Sequence, residues 1–310
     1  MKTLVFSRNR ALQLEGALAS LEENCTEFAE LQIIVLFKAT SALHSEAYQK
    51  LIGELAVSPH IRFVRETDFY ADVLQALLGR IPSMMEKIAA RFGVSLPVQA
   101  ESGEPLRKSA SSCVLFLVDD ALFVASFSPS EIAAVLAATP DALGVSLRLG
   151  ENTTYCYPVS RTQAVPIFES LSGSMIKFRW PEGDGDFGYP FDLSSSVYRL
   201  DELRPLLTQR YFSNPNAMEE VLYQQRNRVM RSHPWLFSYC RSVAFSNPAN
   251  RVQNVAGNRF GGLGENNPDR LAELFLTGYR IDVGKYRGFL PGACHQEVEL
   301  TLAPAGEMRA

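Results

Sequence analysis

The chain reads as an α/β protein with a mainly parallel central sheet flanked by helices, and three observations predict this. Short apolar runs alternate with amphipathic stretches through the first 150 residues. The apolar runs are rich in Val, Ile, Leu and Phe, the composition of strands buried on both faces. One of them, Cys113-Val114-Leu115-Phe116-Leu117-Val118, stops abruptly at two adjacent carboxylates, Asp119 and Asp120. Strand and helix patterns in alternation call for crossover connections, and crossovers join parallel strands.

Residues 3–6 predict the first strand, which the polar Ser7-Arg8-Asn9-Arg10 breaks, and Leu12, Leu14, Leu18 and Leu21 fall near helical spacing across 11–21. Residues 31–37 follow as a strand, 45–56 as a helix and 61–64 as a third strand. The stretch 68–92 is mostly helical with a break at Pro82, and the polar segment 99–112 is a surface loop ahead of the Cys113 strand. Pro129 opens a helix that Pro140 ends, and 143–149 returns to strand. Beyond Gly150 the composition shifts to Gly, Pro, aromatics and Asn, with helical periodicity only in 201–209, 217–229 and 269–277. Long irregular segments inside a compact domain are usually functional loops. No linker divides the chain, so one domain over 1–310 is expected, and there is no internal repeat.

A hydrophobic content of 46% in 310 residues supports a sizeable core. The net charge of -4 is spread over interspersed acids and bases, with no basic stripe to track a nucleic-acid backbone, so no nucleic-acid partner is expected. The five cysteines are widely spaced and form no C-x-x-C, which argues against a disulfide framework or a structural zinc and for a reducing, cytoplasmic setting. The N-terminus turns polar at Ser7, too early for a signal-peptide core, and no apolar run approaches membrane-spanning length. Any membrane contact is expected to be peripheral.

In open α/β sheets the ligand crevice lies outside the carboxyl ends of the strands. Two anions placed there can hold a divalent cation or ribose hydroxyls. Successive strand side chains point to opposite faces, so Asp119 and Asp120 serve one pocket only if the strand ends there and the chain turns.

The segments Phe6-Ser7-Arg8-Asn9-Arg10-Ala11-Leu12-Gln13-Leu14 and Leu18-Ala19-Ser20-Leu21, with Val118-Asp119-Asp120-Ala121-Leu122-Phe123, resemble nucleotide-sugar glycosyltransferases of the GT-A fold, broadly the family 2-like group. The likeness covers about the first half of the chain. It implies a nucleotide-binding half over 1–150 and an acceptor-binding half over 151–310. The family's acidic motif separates its two acids by one residue, with the last on the metal, whereas here they are adjacent. Asp120 in the last position preserves metal binding, with Asp119 beside it; Asp119 in the first position would put Ala121 where the metal ligand belongs. The implied ion is Mn²⁺ or Mg²⁺, suited to oxygen ligands and to the charge of a departing nucleoside diphosphate.

Ser7, Arg8, Asn9 and Arg10 stand between a strand and a helix, where backbone N–H groups and guanidinium groups favour anions or a nucleobase edge. Glu66 and Asp68, just past the third strand, are candidates for the base or ribose by the same position. Between Trp180 and Asp192, acids, glycines and aromatics combine as in a sugar-binding loop, with Asp186 the catalytic candidate beside Trp180 and Tyr189. Asn216 is a candidate N-cap with Glu219 and Glu220 in the first helical turn, which dipole complementarity alone explains. The resemblance implies more, because inverting enzymes of this fold place the base at such a helix start. Arg251 or Arg259, in a glycine- and amide-rich stretch, is a candidate phosphate cation. His295 is a candidate additional metal ligand by the same resemblance.

The expected function is therefore sugar transfer from a nucleotide-sugar donor to a carbohydrate or other hydroxyl acceptor, inverting and metal-assisted. Two alternatives differ in class: a sugar-phosphate nucleotidyltransferase, whose glycine-rich loop after the first strand is missing here, and a non-catalytic nucleotide- or carbohydrate-binding module.

Overall fold

The computed structural model describes residues 1–93, 113–171, 173–250 and 266–306. The expected surface loop 99–112 lies outside the described residues. The first part of the chain forms β1 (Lys2–Arg8), α1 (Ala11–Asn24), β2 (Gln32–Lys38), α2 (Ala42–Glu54), β3 (Ile61–Arg65), α3 (Phe69–Leu78) and α4 (Met84–Arg91). Then come β4 (Cys113–Val118), β5 (Ala121–Phe123), α5 (Pro129–Ala138), β6 (Ala142–Ser146), β7 (Tyr155–Cys156), β8 (Arg161–Thr162), β9 (Glu169–Ser170) and β10 (Met175–Arg179). The remainder is β11 (Ser196–Arg199), α6 (Leu200–Leu207), α7 (Pro215–Gln224), α8 (Arg226–Val229), β12 (Trp235–Tyr239), β13 (Ala244–Ser246), α9 (Pro268–Leu276), β14 (Tyr279–Ile281) and β15 (Leu302–Pro304).

Nine strands make the central sheet in the order β3-β2-β1-β4-β11-β6-β12-β10-β9. β3, β2, β1 and β4 are parallel neighbours, as are β6 and β12, whereas β11 pairs antiparallel with β4 and β6, and β10 with β12 and β9. Only β11 and β10 therefore run against the rest, and the sheet is mostly parallel, as the strand-helix alternation predicts. Alternate side chains build a core on each face. Val5, Val35, Leu115 and Val145 pack with α1, α2, α5 and α9 on one side. Leu4, Phe6, Phe116 and Tyr198 pack with α3, α6 and α7 on the other. Gly144 of β6 sits where a Cβ would stand 2.5 Å from the Val197 carbonyl oxygen, so a side chain there would push β11 away.

Two elements depart from the sequence expectations. The periodic stretch 217–229 breaks at Gln225 into α7 and α8, and α7 begins earlier than Asn216. Asn214 is the cap, its Oδ1 accepting from Ala217 N at 2.9 Å, because Pro215 at the first helical position needs no donor partner. The aromatic, Gly/Pro-rich half also supplies β10, β11 and β12 to the main sheet.

Candidate active-site cleft

A cleft of about 680 Å³ opens across the carboxyl ends of the parallel strands. Ser7 and Arg8 close β1, Lys38 closes β2, Glu66 follows β3, the acid pair follows β4 and Arg148 follows β6. β4 ends at Val118 and the chain turns at Asp119-Asp120, so both acids reach the same cleft.

Asp119 is 4% exposed and fully engaged. Its Oδ2 accepts from Ser7 Oγ at 2.9 Å and Arg8 N at 3.1 Å, and its Oδ1 pairs with the Arg10 guanidinium at 2.9 Å. Arg10 also reaches Asp120 Oδ2 at 3.2 Å, donates through Nε to Asn250 Oδ1 at 2.8 Å and contacts the Asn250 carbonyl. Burial works against charge on this arginine, but Asp119 and Asp120 outweigh it and hold its pKa above the ordinary value. Burial likewise pushes the Asp120 carboxyl up; Arg10 opposes the rise and Asp119 adds to it. Asp120 Oδ1 is buried with no partner at hydrogen-bonding distance among the described residues, while the Ser246 hydroxyl stands near the carboxyl and lowers its pKa.

Not every residue singled out from the sequence faces the cleft. Glu66 lines it, held by Lys38 at 2.6 Å. Asn9 turns aside at φ 55° to exchange two hydrogen bonds with Thr40. Asp68 caps α3 through Ala71 N and pairs with Lys87 at 2.7 Å. Glu220 is exposed and accepts from Gln224 Nε2 at 2.9 Å. Arg251 and Arg259 lie outside the described residues.

Buried Arg148 organises the second wall. It donates to Asp192 Oδ2 at 2.6 Å, Ser246 Oγ at 2.9 Å and the Cys294 carbonyl at 3.3 Å, and its NH1 lies 3.2 Å from His295 Nε2. A guanidinium can only donate, so Nε2 accepts and the ring proton belongs on Nδ1. Burial and the Arg148 charge hold the His295 pKa well below its usual value, leaving the ring neutral. Asp186 lines the cleft with Cys156 Sγ 3.5 Å from its Oδ1, and the Cys294 thiol also interacts with the carboxyl, whose buried Oδ2 has no partner at hydrogen-bonding distance among the described residues. Burial raises its pKa against the pull of Arg148.

Glu219 enters the cleft from the second turn of α7, beyond the reach of simple first-turn dipole complementarity. Its Oε2 accepts from Leu193 N at 3.1 Å, and Tyr189 OH hydrogen-bonds to the same carboxyl. Tyr189 is fixed by stacking on Tyr223, ring centroids 4.7 Å apart. Burial, reinforced by Asp192, raises the Glu219 pKa to about 7.

Arg148 and Asp192 are site residues that sequence reasoning passed over. The signal for Arg148 was an arginine inside an otherwise apolar run, since a buried cation demands a partner. Nothing in the sequence marked Asp192 as that partner.

The groups that could hold a divalent cation differ in how open they are. Both Asp119 oxygens already accept hydrogen bonds, and Arg148 sets a positive charge beside His295 Nε2. Among the described residues no three His, Cys, Asp or Glu groups gather around one point. Asp120 Oδ1 remains the open carboxylate oxygen of the pair, so a cation bound here would take its other ligands from a substrate's phosphates and water, as Mg²⁺ commonly does.

No family model matches the chain. Its sequence is similar to that of a curated glycosyltransferase, the class that the residue-level resemblance implies. That protein is the Bifunctional glycosyltransferase pgtA of Dictyostelium discoideum, 24% identical over 289 residues, with 83% of this chain and 33% of that protein covered. The chain thus spans about a third of its curated relative's length. Among solved structures, S. aureus TarS matches with a TM-score of 0.44 and 12% identity, over 80% of this chain and 37% of that one. Mannosyltransferase PcManGT from Pyrobaculum calidifontis, in complex with GDP-Man and Mn²⁺, matches with a TM-score of 0.36 and 14% identity, over 77% and 53%.

Proposed function

We propose that this chain is a GT-A-type glycosyltransferase that moves a sugar from a nucleotide-sugar donor to a hydroxyl acceptor with inversion at the anomeric carbon. The observation that carries the reading is one cleft lined both by an acid pair with an open, buried oxygen and by a glutamate whose pKa is raised to about 7. Direct displacement needs both functions: charge control at the departing diphosphate and a base at the attacking hydroxyl.

In this reading the first 150 residues hold the nucleotide and the remainder shapes the acceptor side. Arg8, exposed at the cleft and without an ion-pair partner among the described residues, meets phosphate charge, and Ser7 fixes the acid turn through Asp119. The cleft's other basic groups, Arg10, Lys38, Arg148 and Arg161, already face carboxylates. A diphosphate entering so balanced a cleft calls for further positive charge, and Mn²⁺ or Mg²⁺ held by Asp120 would supply it by neutralising the leaving group. Glu219 accepts the acceptor hydroxyl's proton, while Asp186 presents Oδ2 to a sugar hydroxyl. The wide spacing of the five cysteines, with no C-x-x-C, supports a reducing, cytoplasmic setting.

The test is release of nucleoside diphosphate from a panel of UDP- and GDP-sugars, with and without Mn²⁺, followed by NMR of the product's anomeric configuration. Asp120→Ala should abolish turnover while the circular dichroism spectrum stays unchanged. Undiminished transfer by that variant removes the metal and diphosphate assignment, and nucleotide binding without any turnover favours a non-catalytic module.

A further inference from the structure

Helix α4 contributes nothing to the cleft and is built unusually for a helix on a soluble core. A capping box starts it, Ser83 and Glu86 each satisfying the other's backbone N–H. Met84, Met85 and Ile88 of α4 and Phe92 at its C-terminal cap follow three- and four-residue spacings and share one face. That face looks outward, with exposures of 69%, 66%, 37% and 80%, and Ile81, ahead of the Ser83 cap, is 71% exposed. Within the helix only Ala90 is buried. Single exposed apolar residues are ordinary, but a stripe of four along one helix marks an interaction surface.

The stripe ends at a basic recess. Ala90 O accepts from Tyr211 N at 3.2 Å and the Arg91 guanidinium lies 4.8 Å over the Tyr211 ring, which pins α4 to the segment carrying Gln209 and Arg210. Immediately after Phe92, a recess of about 250 Å³ is lined by Gly93, Gln209, Arg210, Gln224, Gln225 and Arg228. No acid is among these lining residues, and Arg228 donates to the amide oxygens of Gln209 and Gln225. Arg80 and Lys87 on the same helix region are by contrast paired with Glu86 and Asp68. Among the described residues, the recess arginines therefore have no carboxylate partner, in contrast to Arg80 and Lys87.

We propose that this face docks on an anionic lipid bilayer, the α4 stripe entering the headgroup boundary and Arg210 and Arg228 taking a lipid phosphate. An outward apolar stripe bordered by arginines that meet no carboxylate among the described residues is the composition that lies in a membrane interface. A second copy of the chain packed parallel along the stripe fits less well, because that two-fold contact would bring the two basic recesses toward each other. The proposal is independent of the catalytic reading.

The test is co-sedimentation of the full chain with vesicles of phosphatidylcholine alone or mixed with phosphatidylglycerol. Binding is expected to the mixed vesicles and to weaken with salt. Arg210→Gln and Arg228→Gln should each weaken partitioning by about fivefold, and Met85→Asp with Ile88→Asp should remove it, with melting curves confirming that each variant folds. Failure of the folded parent chain to bind, or binding indifferent to these substitutions, overturns the proposal. So does stabilisation by inorganic phosphate without vesicle binding, which assigns the recess to a free anion. Dissociation of a dimer by Met85→Asp, seen by light scattering, assigns the stripe to a second copy.

Discussion

Glu219 illustrates how much a single side chain's surroundings decide. Burial pushes its pKa to about 7, so it holds a proton below neutrality and accepts one above. A base must be ionised to act, and the rate of transfer should therefore rise with pH through about 7 and level off. Glu219→Gln is expected to cut turnover by roughly 10²–10⁴-fold without loss of fold, and steady-state kinetics checks it. Tyr189 donates to the ionised form and so favours it; Tyr189→Phe should move the acidic limb of the pH–rate profile upward. A limb that stays in place would deny Tyr189 this positioning role. The sequence pointed to Glu219 and Glu220 equally. Only folding separates them, because neighbours on a helix diverge by about 100°, and that rotation takes Glu220 into solvent. Arg148 and Asp192 were harder still, since each hides the other's charge and their pairing joins irregular segments 44 residues apart.

Elements of the first half were legible because their strands are buried on both faces and spell long apolar runs. In the second half the helices were legible by periodicity, at 201–209, 217–229 and 269–277, and the strands were not. β11 is four residues long and ends in Arg199, which no apolar pattern announces. That arginine donates to the carbonyls of Leu136 at 2.7 Å, Thr139 at 3.2 Å and Pro140 at 2.9 Å and also reaches Ala142, finishing α5 and starting β6. Its Nε pairs with Glu202 at 2.5 Å. Arg199→Met would leave these carbonyls buried and unpaired, and a loss of about 3–5 kcal/mol is expected, measurable by urea unfolding. A change under about 1 kcal/mol would mean that water replaces the guanidinium.

At the scale of the whole molecule, the fold carries carboxyls that prefer to be neutral. Glu15, half-buried 3.9 Å from Arg280, has its pKa raised by desolvation to about 7, alongside Glu219. Between the ordinary value of 4.5 and about 7 the folded chain binds these protons and the unfolded chain does not. Stability contributed by the raised pKa is complete below that window and is lost as pH rises through it. Glu15→Gln should leave the melting temperature at pH 5 nearly unchanged and raise stability at pH 8 by about 2 kcal/mol. Arg280 keeps its two bonds to Glu54 in that variant. A melting temperature equally altered at both pH values would contradict the assignment.

The placement of β11 between β4 and β6 also has a consequence for biosynthesis. A nascent chain that has emerged only as far as Gly150 has its acid turn but no hydrogen-bonding partner on the outer edge of β4, since residues 196–199 supply it. The ribosome must deliver about fifty residues more before that edge closes. Until then the strand is a site for mispairing with other chains, and a chaperone that covers extended apolar segments has its opportunity there.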